Sequence, residues 1–355
     1  MKKIIMVLMV VGICMPGIAY GGEYPFIYKG MRPMGMGGAF TAVSNDANAL
    51  FYNPAGLADI ETTRASILPL ELEISDNTFD IYGDAKDVDF DDEQETGAYL
   101  RDNIGKRSHF GLNIFPNISK PGFAFGLISA SNINFEVKDR QYPKIVADIV
   151  SDVGAGAGYA RPMLEERLLL GSNFKYVYRN NLIEDYTVLD ITGDDFGDTI
   201  EDDLQDGHGV LVDVGAIYKL DGDGLPGAQV GISLNNVLSK NFGDAREFDD
   251  HVDIGFAITR PVWITAATFA IDYYDLFSQV GKDNDLAKRL RLGAEFRFPR
   301  FLSVSAGLYQ GYLTSGLTLD AKFVRLDLLT YAEEIGAYAG QRSDRRYAMR
   351  LAFGF

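Results

Sequence analysis

Alternation of apolar and polar residues with a period of two, repeated along stretches of roughly ten residues, constrains this chain more than any other feature. From Lys288 to Phe298, Leu290, Leu292, Ala294, Phe296 and Phe298 alternate with Arg289, Arg291, Gly293, Glu295 and Arg297. At the carboxyl end, Tyr347, Met349, Leu351, Phe353 and Phe355 alternate with Arg346, Ala348, Arg350, Ala352 and Gly354. Successive side chains of a strand point to opposite faces, so each stretch has one apolar and one polar face. A helix would scatter the same arginines around its circumference. The pattern assigns Arg289, Arg291, Glu295, Arg297, Arg346 and Arg350 to the lumen of a barrel whose other face meets lipid. The expected fold class is all-β, a transmembrane antiparallel β-barrel.

Such stretches number about fourteen, at 62–75, 107–116, 122–136, 143–160, 167–180, 208–220, 226–238, 250–260, 262–275, 288–298, 301–310, 312–323, 324–333 and 345–355. A single-chain bacterial barrel requires an even number. With both termini on the periplasmic side, connections should alternate between short inner turns and long outer loops. Turns near 117–121, 161–166, 221–225, 260–262, 299–300 and 323–324 are short, whereas 76–106, 181–207, 239–249, 276–287 and 334–344 are longer. The connection near Gly311 is the short exception on the outer side. Pro116, Pro121, Pro162, Pro226, Pro261 and Pro299 all fall at expected inner turns, where a missing N–H costs no ladder bond. Pro69 lies inside the first strand and should bend, bulge or locally open the wall.

The other end of the chain points to export. Lys2 and Lys3 precede a short apolar run, Ile4 to Ile13, which Pro16 and Gly17 end before the small residues Ala19 and Gly21. A leader at 1–21, cleaved after Gly21, is the expectation. Cys14 is the sole cysteine, so the mature chain offers no disulfide, thiolate metal site or cysteine nucleophile. No later stretch reaches about 18 continuous apolar residues, so membrane passage has to be by a closed barrel. The expected place is the outer membrane of a Gram-negative type of cell. Tyr347, Phe353 and Phe355 form the carboxyl-terminal signal that barrel-assembly machinery would read.

Charge is concentrated in two outer loops. Residues 76–106 hold ten acids, including Asp89, Asp91, Asp92 and Glu93, against three bases, and 181–206 hold ten acids and no base. These read as solvated faces, with calcium bridging to surface lipopolysaccharide or to another loop as the alternative. The spacing does not match an EF-hand, and Asp221-Gly222-Asp223-Gly224 reads as a tight turn. No metal, cofactor or nucleic-acid partner is expected. His109, His208 and His251 should lie near outer strand ends, and no serine motif accompanies them, so no enzyme is expected.

Between leader and first strand lie Arg32-Pro33-Met34-Gly35-Met36-Gly37-Gly38-Ala39-Phe40-Thr41-Ala42-Val43 and then Asp46-Ala47-Asn48-Ala49-Leu50-Phe51-Tyr52-Asn53-Pro54-Ala55-Gly56-Leu57. No strand–turn–helix unit frames the glycines and no lysine follows at Walker spacing, which argues against a nucleotide site. Small residues suit close packing of an irregular segment inside a lumen, Asn53-Pro54 favours a turn, and Asp46 can cap a short helical stretch at 47–52.

This region resembles the amino terminus of the FadL-like (long-chain fatty acid transporter) superfamily, which includes PorV/PorQ-type barrels. Gly35, Gly37, Gly38 and Ala39, with Asp46 and the run Asn53, Pro54, Ala55 and Gly56, carry the resemblance. The stretches 230–237 and 336–342 are similar to uncharacterised members of the same group. The resemblance implies a fourteen-stranded barrel over 61–355 with a hatch at 22–60 plugging its lumen. It also implies passive passage of hydrophobic, fatty-acid-like molecules, and by analogy Pro69 would kink the wall for their release. The alternative is a PorV-like adaptor that holds a secreted protein at the surface, its acidic loops forming the docking face. Acidic outer loops depart from what capture of a fatty carboxylate would prefer. The lumenal arginines could pair with such a carboxylate, or with Glu295, Asp320, Asp327 or the hatch.

Overall fold

The computed structural model describes residues 23–354 except 194, 222–224, 239–241, 282–284 and 300. The expected leader with its Gly21 cleavage site, Cys14, Phe355 and the turn at 222–224 lie outside the described residues. No described helix is long and apolar enough to cross a membrane. The wall is a closed antiparallel barrel of fourteen strands, two of them interrupted. They are β1 (Arg64–Ser66 and Leu70–Ser75), β2 (Arg107–Ile114 and Asn117–Lys120), β3 (Phe123–Lys138), β4 (Lys144–Met163), β5 (Leu168–Thr187), β6 (Gln205–Lys219) and β7 (Ala228–Asn235). The wall continues through β8 (His251–Val262), β9 (Thr265–Tyr273), β10 (Leu290–Phe298), β11 (Leu302–Tyr309), β12 (Tyr312–Ala321), β13 (Val324–Glu334) and β14 (Ser343–Phe353). Each strand pairs with its neighbour in sequence, and β14 closes on β1 through Arg346↔Ser75 to Leu351↔Leu70.

Side-chain alternation is realised as burial. In β10, Leu292, Phe296 and Phe298 are exposed toward lipid, whereas Arg291 and Glu295 are buried toward the axis. Strands therefore cross with apolar faces outward, and Trp263, 95% exposed at the tip of the β8–β9 turn, sits where an aromatic belt meets water.

Four expected connections differ. The expected turn at 117–121 is strand as far as Lys120, because Asn117↔Gly126 keeps the register of Ile114↔Ser129 and only Phe115-Pro116 break the ladder. Pro162 and Pro261 lie in the inner ends of β4 and β8, so those turns fall at 164–167 and 263–264. The acidic connection at 181–207 shrinks to 188–204, since β5 runs on to pair Thr187 with Lys144. The β4–β5 hairpin, with twenty residues in each strand, rises well above the span that roughly ten residues cover.

The interruption at Pro69 has a defined geometry. Leu70 pairs with Ile114 while Ser66 pairs with Asn117, so residues 67–69 oppose only 115–116. On the other side Leu351 pairs with Leu70 and Gly354 bridges to Ser66. The register slips by one residue on both flanks, which is a β-bulge. Ile67 N still donates to Phe353 O at 2.7 Å, and Ile67 and Leu68 point out to the lipid side.

The acidic connections fold into a cap. Helices α2 (Thr78–Ala85) and α3 (Glu93–Asp102) fill the β1–β2 loop, and α4 (Val188–Ile191) and α5 (Phe196–Asp202) fill the β5–β6 loop. Ile191, Phe196 and Ile200 pack on Leu182 and Tyr186 of the tall hairpin. Among the described residues no group of three or more acids, histidines or cysteines is placed to hold a metal ion.

This assignment of faces predicts the cost of a charge in the wall. Ile232, lipid-facing at the middle of β7, should tolerate arginine badly: Ile232→Arg should destabilise the barrel in vesicles by about 2–4 kcal/mol. Guanidinium unfolding followed by the single tryptophan, Trp263, measures this; an effect near zero would mean the face is misassigned.

Candidate functional site: the filled lumen

Residues 23–60 run through the barrel. Glu23 lies among the outer strand ends, beside Arg107 at the start of β2 and Arg346 near the start of β14. The segment leaves at the opposite end, where Leu57 O accepts from Gly122 N in the β2–β3 turn at 2.9 Å. The barrel strands themselves begin and end on the short-turn side. The described amino end, by contrast with the periplasmic position expected, reaches the outer mouth, because the partners of its carboxylate stand there.

Local chemistry shapes the segment. Helix α1 (Met31–Gly35) is followed by Gly37 and Gly38 at φ 63° and 75°, a backbone that L side chains rarely adopt. A Cβ on Gly37 would lie 2.4 Å from Leu292 O, so the segment meets the β10–β11 backbone there at the closest approach a glycine permits. Asp46 accepts from Asn48 N at 2.8 Å and starts the 3₁₀ turn Ala47–Leu50. Asn53 caps the next turn, Pro54–Asp59, by accepting from Ala55 N at 3.1 Å, and its amide donates to Thr41 O at 2.8 Å. Gly56 packs on Ser44, and Ala39 and Ala55 are fully buried.

Charge pairs tie this segment to the wall. Arg32 makes a bidentate contact with Glu295, 2.8 Å on each arm, and a further bond of 2.9 Å to Asp46. Arg346 holds Glu23 through bonds of 3.0 and 2.7 Å, and Lys29 bridges Glu23 at 2.7 Å while also contacting Glu333. Asp272 accepts from the backbone N–H groups of Phe40 and Thr41 at 2.7 and 2.6 Å. Burial pushes the Glu23 carboxyl up, but the charges of Arg346 and Lys29 overcome this and hold it well below the usual carboxylate range. Arg32 likewise holds the Asp46 carboxyl low against the effect of burial.

The lumenal residues read from the strands are distributed among several partners. Arg350 pairs with Asp327 at 2.8 Å, Arg297 lies 3.5 Å from Glu295, and Arg289 pairs closely with Asp275 and donates to Val280 O at 2.9 Å. Arg291 is different. It is buried, its guanidinium stacks 3.9 Å above the Tyr274 ring with Phe26 and Tyr309 nearby, and no described carboxylate pairs with it. Tyr347 and Phe353 face outward to lipid, and Pro69 lies in the wall bulge.

Sequence reading passed over Glu23, Lys29, Glu73 and Asp272. The Leu70-Glu71-Leu72-Glu73-Ile74 alternation could have revealed Glu73; nothing local marks Glu23 or Lys29. His109, at an outer strand end as expected, lies 2.9 Å from Glu73 and 2.8 Å from Asn134 in a buried lumenal network.

The interior mixes apolar clusters with buried ion pairs. Toward β3–β6, Ile27, Leu50, Leu57, Ile128, Val177 and Leu211 belong to one apolar cluster that joins segment and wall, beside the buried pairs Arg179–Asp152 and Lys175–Asp213. Toward β10–β14 and β1 the ion pairs above flank a second cluster, in which Met31 and Met34 pack on Tyr309, Leu329, Tyr331 and Ala348. Two small cavities lie against Pro25–Tyr28. One, of about 60 Å³, is bounded by Glu23, Lys29, Glu71, Glu73 and Arg179; the other, of about 30 Å³, by Phe26, Phe51, Tyr52, Tyr274 and Arg291. Both are far below the roughly 300 Å³ that small-molecule sites occupy. A larger cavity of about 320 Å³ opens at the inner end, between Asp46, Asn48, Phe115, Asp320, Arg325 and Arg350.

A depressed carboxyl stabilises the seated segment above its unfolded pKa, and that contribution is lost as pH falls through the folded value. Exchange protection of residues 23–30 should therefore hold from about pH 8 to about pH 5 and fail only well below about pH 4, the ordinary carboxylate value. At neutral pH, Glu23→Gln should speed hydrogen exchange there by about tenfold. Unchanged exchange in that variant would show that the contact does not hold the segment.

No family model matches the chain, and no curated protein matches it. Solved structures do. The P. putida toluene transporter TodX superimposes with a TM-score of 0.51 at 11% identity, over 94% of this chain and 97% of its own. The CymD monoaromatic hydrocarbon channel gives 0.50 at 13% identity, over 93% and 98%. A FadL homologue from Pseudomonas aeruginosa gives 0.49 at 10% identity, over 94% and 98%. At such identities the likeness is one of architecture: the chain shares its fourteen-stranded barrel fold with TodX and CymD.

Proposed function

We propose that this barrel is a passive channel for hydrophobic small molecules with a polar, anionic end, and that residues 22–60 act as its hatch. The observation that carries the reading is the mixed lining of the lumen. A water-filled porin has a polar interior throughout, whereas here apolar clusters and fixed charges stand side by side around a packed segment. A molecule with an apolar body and a charged end finds a surface for each. Arg291, aromatic-stacked and without a described carboxylate partner, suits a carboxylate at that point. The similarity in fold to a toluene transporter and a monoaromatic hydrocarbon channel agrees with the apolar half of this reading. The bulge at Pro69 is our candidate for the exit, since it loosens the β1–β14 seam on the inner half of the wall.

One observation favours the adaptor reading as a second choice. Helix α2 presents Phe79 and Tyr82, 69% and 73% exposed, within the acidic cap, an arrangement usable for holding a secreted protein.

Labelled oleate uptake in a strain lacking its own transporter separates the two. The parent barrel should raise uptake above background, and Arg291→Gln should reduce it several-fold while the barrel still inserts. Deleting residues 22–58 should raise permeability to small solutes indiscriminately. Background uptake by a properly inserted parent barrel would end the channel reading, and unchanged permeability would end the hatch reading.

A further inference from the structure

The outer surface of the barrel is dented. Across β11–β14 and β1–β2 a groove of about 710 Å³ opens on the lipid face. Its inner row is apolar: Leu72, Met349, Leu328 and Leu317 are consecutive cross-strand neighbours. The row above it, one step toward the outer surface, is not. Tyr347, Thr330 and Ser315 stand side by side there on β14, β13 and β12. The Thr330 hydroxyl is buried without a hydrogen-bond partner, and the Tyr347 hydroxyl has none among the described residues. One further step outward on the same face of β14 is Arg345. Its guanidinium donates to Leu313 O at 2.8 Å and pairs with no described carboxylate.

The dent has a cause inside the barrel. Gly316 and Ala348 give the floor almost no side-chain thickness, and α1 packs directly behind it. A Cβ on Gly35 would lie 3.4 Å from the Gly316 Cα, and Met31 and Met34 cluster with Leu329 and Ala348.

From these three layers we infer that the groove binds a phosphate-bearing, acylated lipid of the outer leaflet, of the lipopolysaccharide type. Charge and depth select this occupant. Acyl chains cover the leucine row at the hydrocarbon level. The ester, amide or hydroxyl groups at the chain roots meet the exposed side chains of Tyr347 and Ser315, whose hydroxyls are costly to leave unpaired against hydrocarbon. The phosphate reaches Arg345, a fork of donors suited to it. Chain burial along the leucine row holds such a lipid in place, whereas free phosphate has only the single arginine, so the lipid is favoured over the ion alone. This site is independent of the transport reading, because it lies on the opposite face of the wall from the lumen.

Native mass spectrometry of the purified full-length barrel in mixed micelles, with lipid A as the probe, tests it. The parent should retain lipid A; Arg345→Ala should weaken retention by about tenfold. Filling the polar row with the double variant Ser315→Leu and Thr330→Leu should do the same with Arg345 intact, which keeps the test decisive if one variant folds poorly. Arg260→Ala, at the inner end of β8, should have no effect. Dephosphorylated lipid A and inorganic phosphate should bind at least several-fold more weakly. Equal retention by the parent and Arg345→Ala, or equal binding of phosphorylated and dephosphorylated lipid, overturns the inference.

Discussion

A charge removed from water has to meet an opposite charge or a hydrogen-bond partner, and the interior of this barrel is organised by that requirement. Arg346 projects from the wall and Arg32 from the segment within the lumen. Each finds its carboxylate on the other body: Arg346 on Glu23, Arg32 on Glu295. Asp272 is held through one carboxylate oxygen by backbone N–H groups of the segment rather than by a cation. Wall and segment therefore complete one another. Removing either would leave several buried charges without partners, which accounts for a lumen that is packed rather than open.

The same requirement explains how the segment matches the wall around the lumen. Where β3–β6 supply alanine, isoleucine, valine and leucine inward, the segment answers with Ile27, Leu50 and Leu57. Where β10–β14 supply arginine and glutamate, it answers with Glu23, Lys29 and Arg32. Arg291 departs from this matching, held by aromatic rings instead of an acid. On the outside, the helix that presses on β12 and β13 leaves a hollow in the lipid face, so packing within the lumen also sets the shape of the surface that lipid meets.

Much of this was legible in the sequence. Period-two alternation is a local property of each strand, and it located all fourteen wall strands because lipid on one side and lumen on the other act on every residue alike. Strand ends were less legible. Pro116 and the polar pair Asn180-Asn181 resemble turn signals, yet pairing to β3 and β4 carries those strands on. Position inside the lumen was not legible at all. The contact from Glu23 to Arg346 spans 323 residues and that from Arg32 to Glu295 spans 263, and no local pattern announces a partner at such separation. Glycines marked the segment as tightly packed, but which backbone each one meets, Gly37 on Leu292 for instance, depends on the closed barrel.

If the barrel is the channel proposed above, passage requires α1 and its flanking residues to move relative to the wall, and a reversible tether tests this most directly. The mature chain contains no cysteine under the expected cleavage, and a Cβ on Gly35 would lie 3.5 Å from the Ser305 Cβ, inside the span of a disulfide. In a barrel carrying Gly35→Cys and Ser305→Cys, oxidation should reduce oleate uptake to background and a reductant should restore it. Uptake that is the same in the oxidised and reduced barrel would contradict a moving hatch.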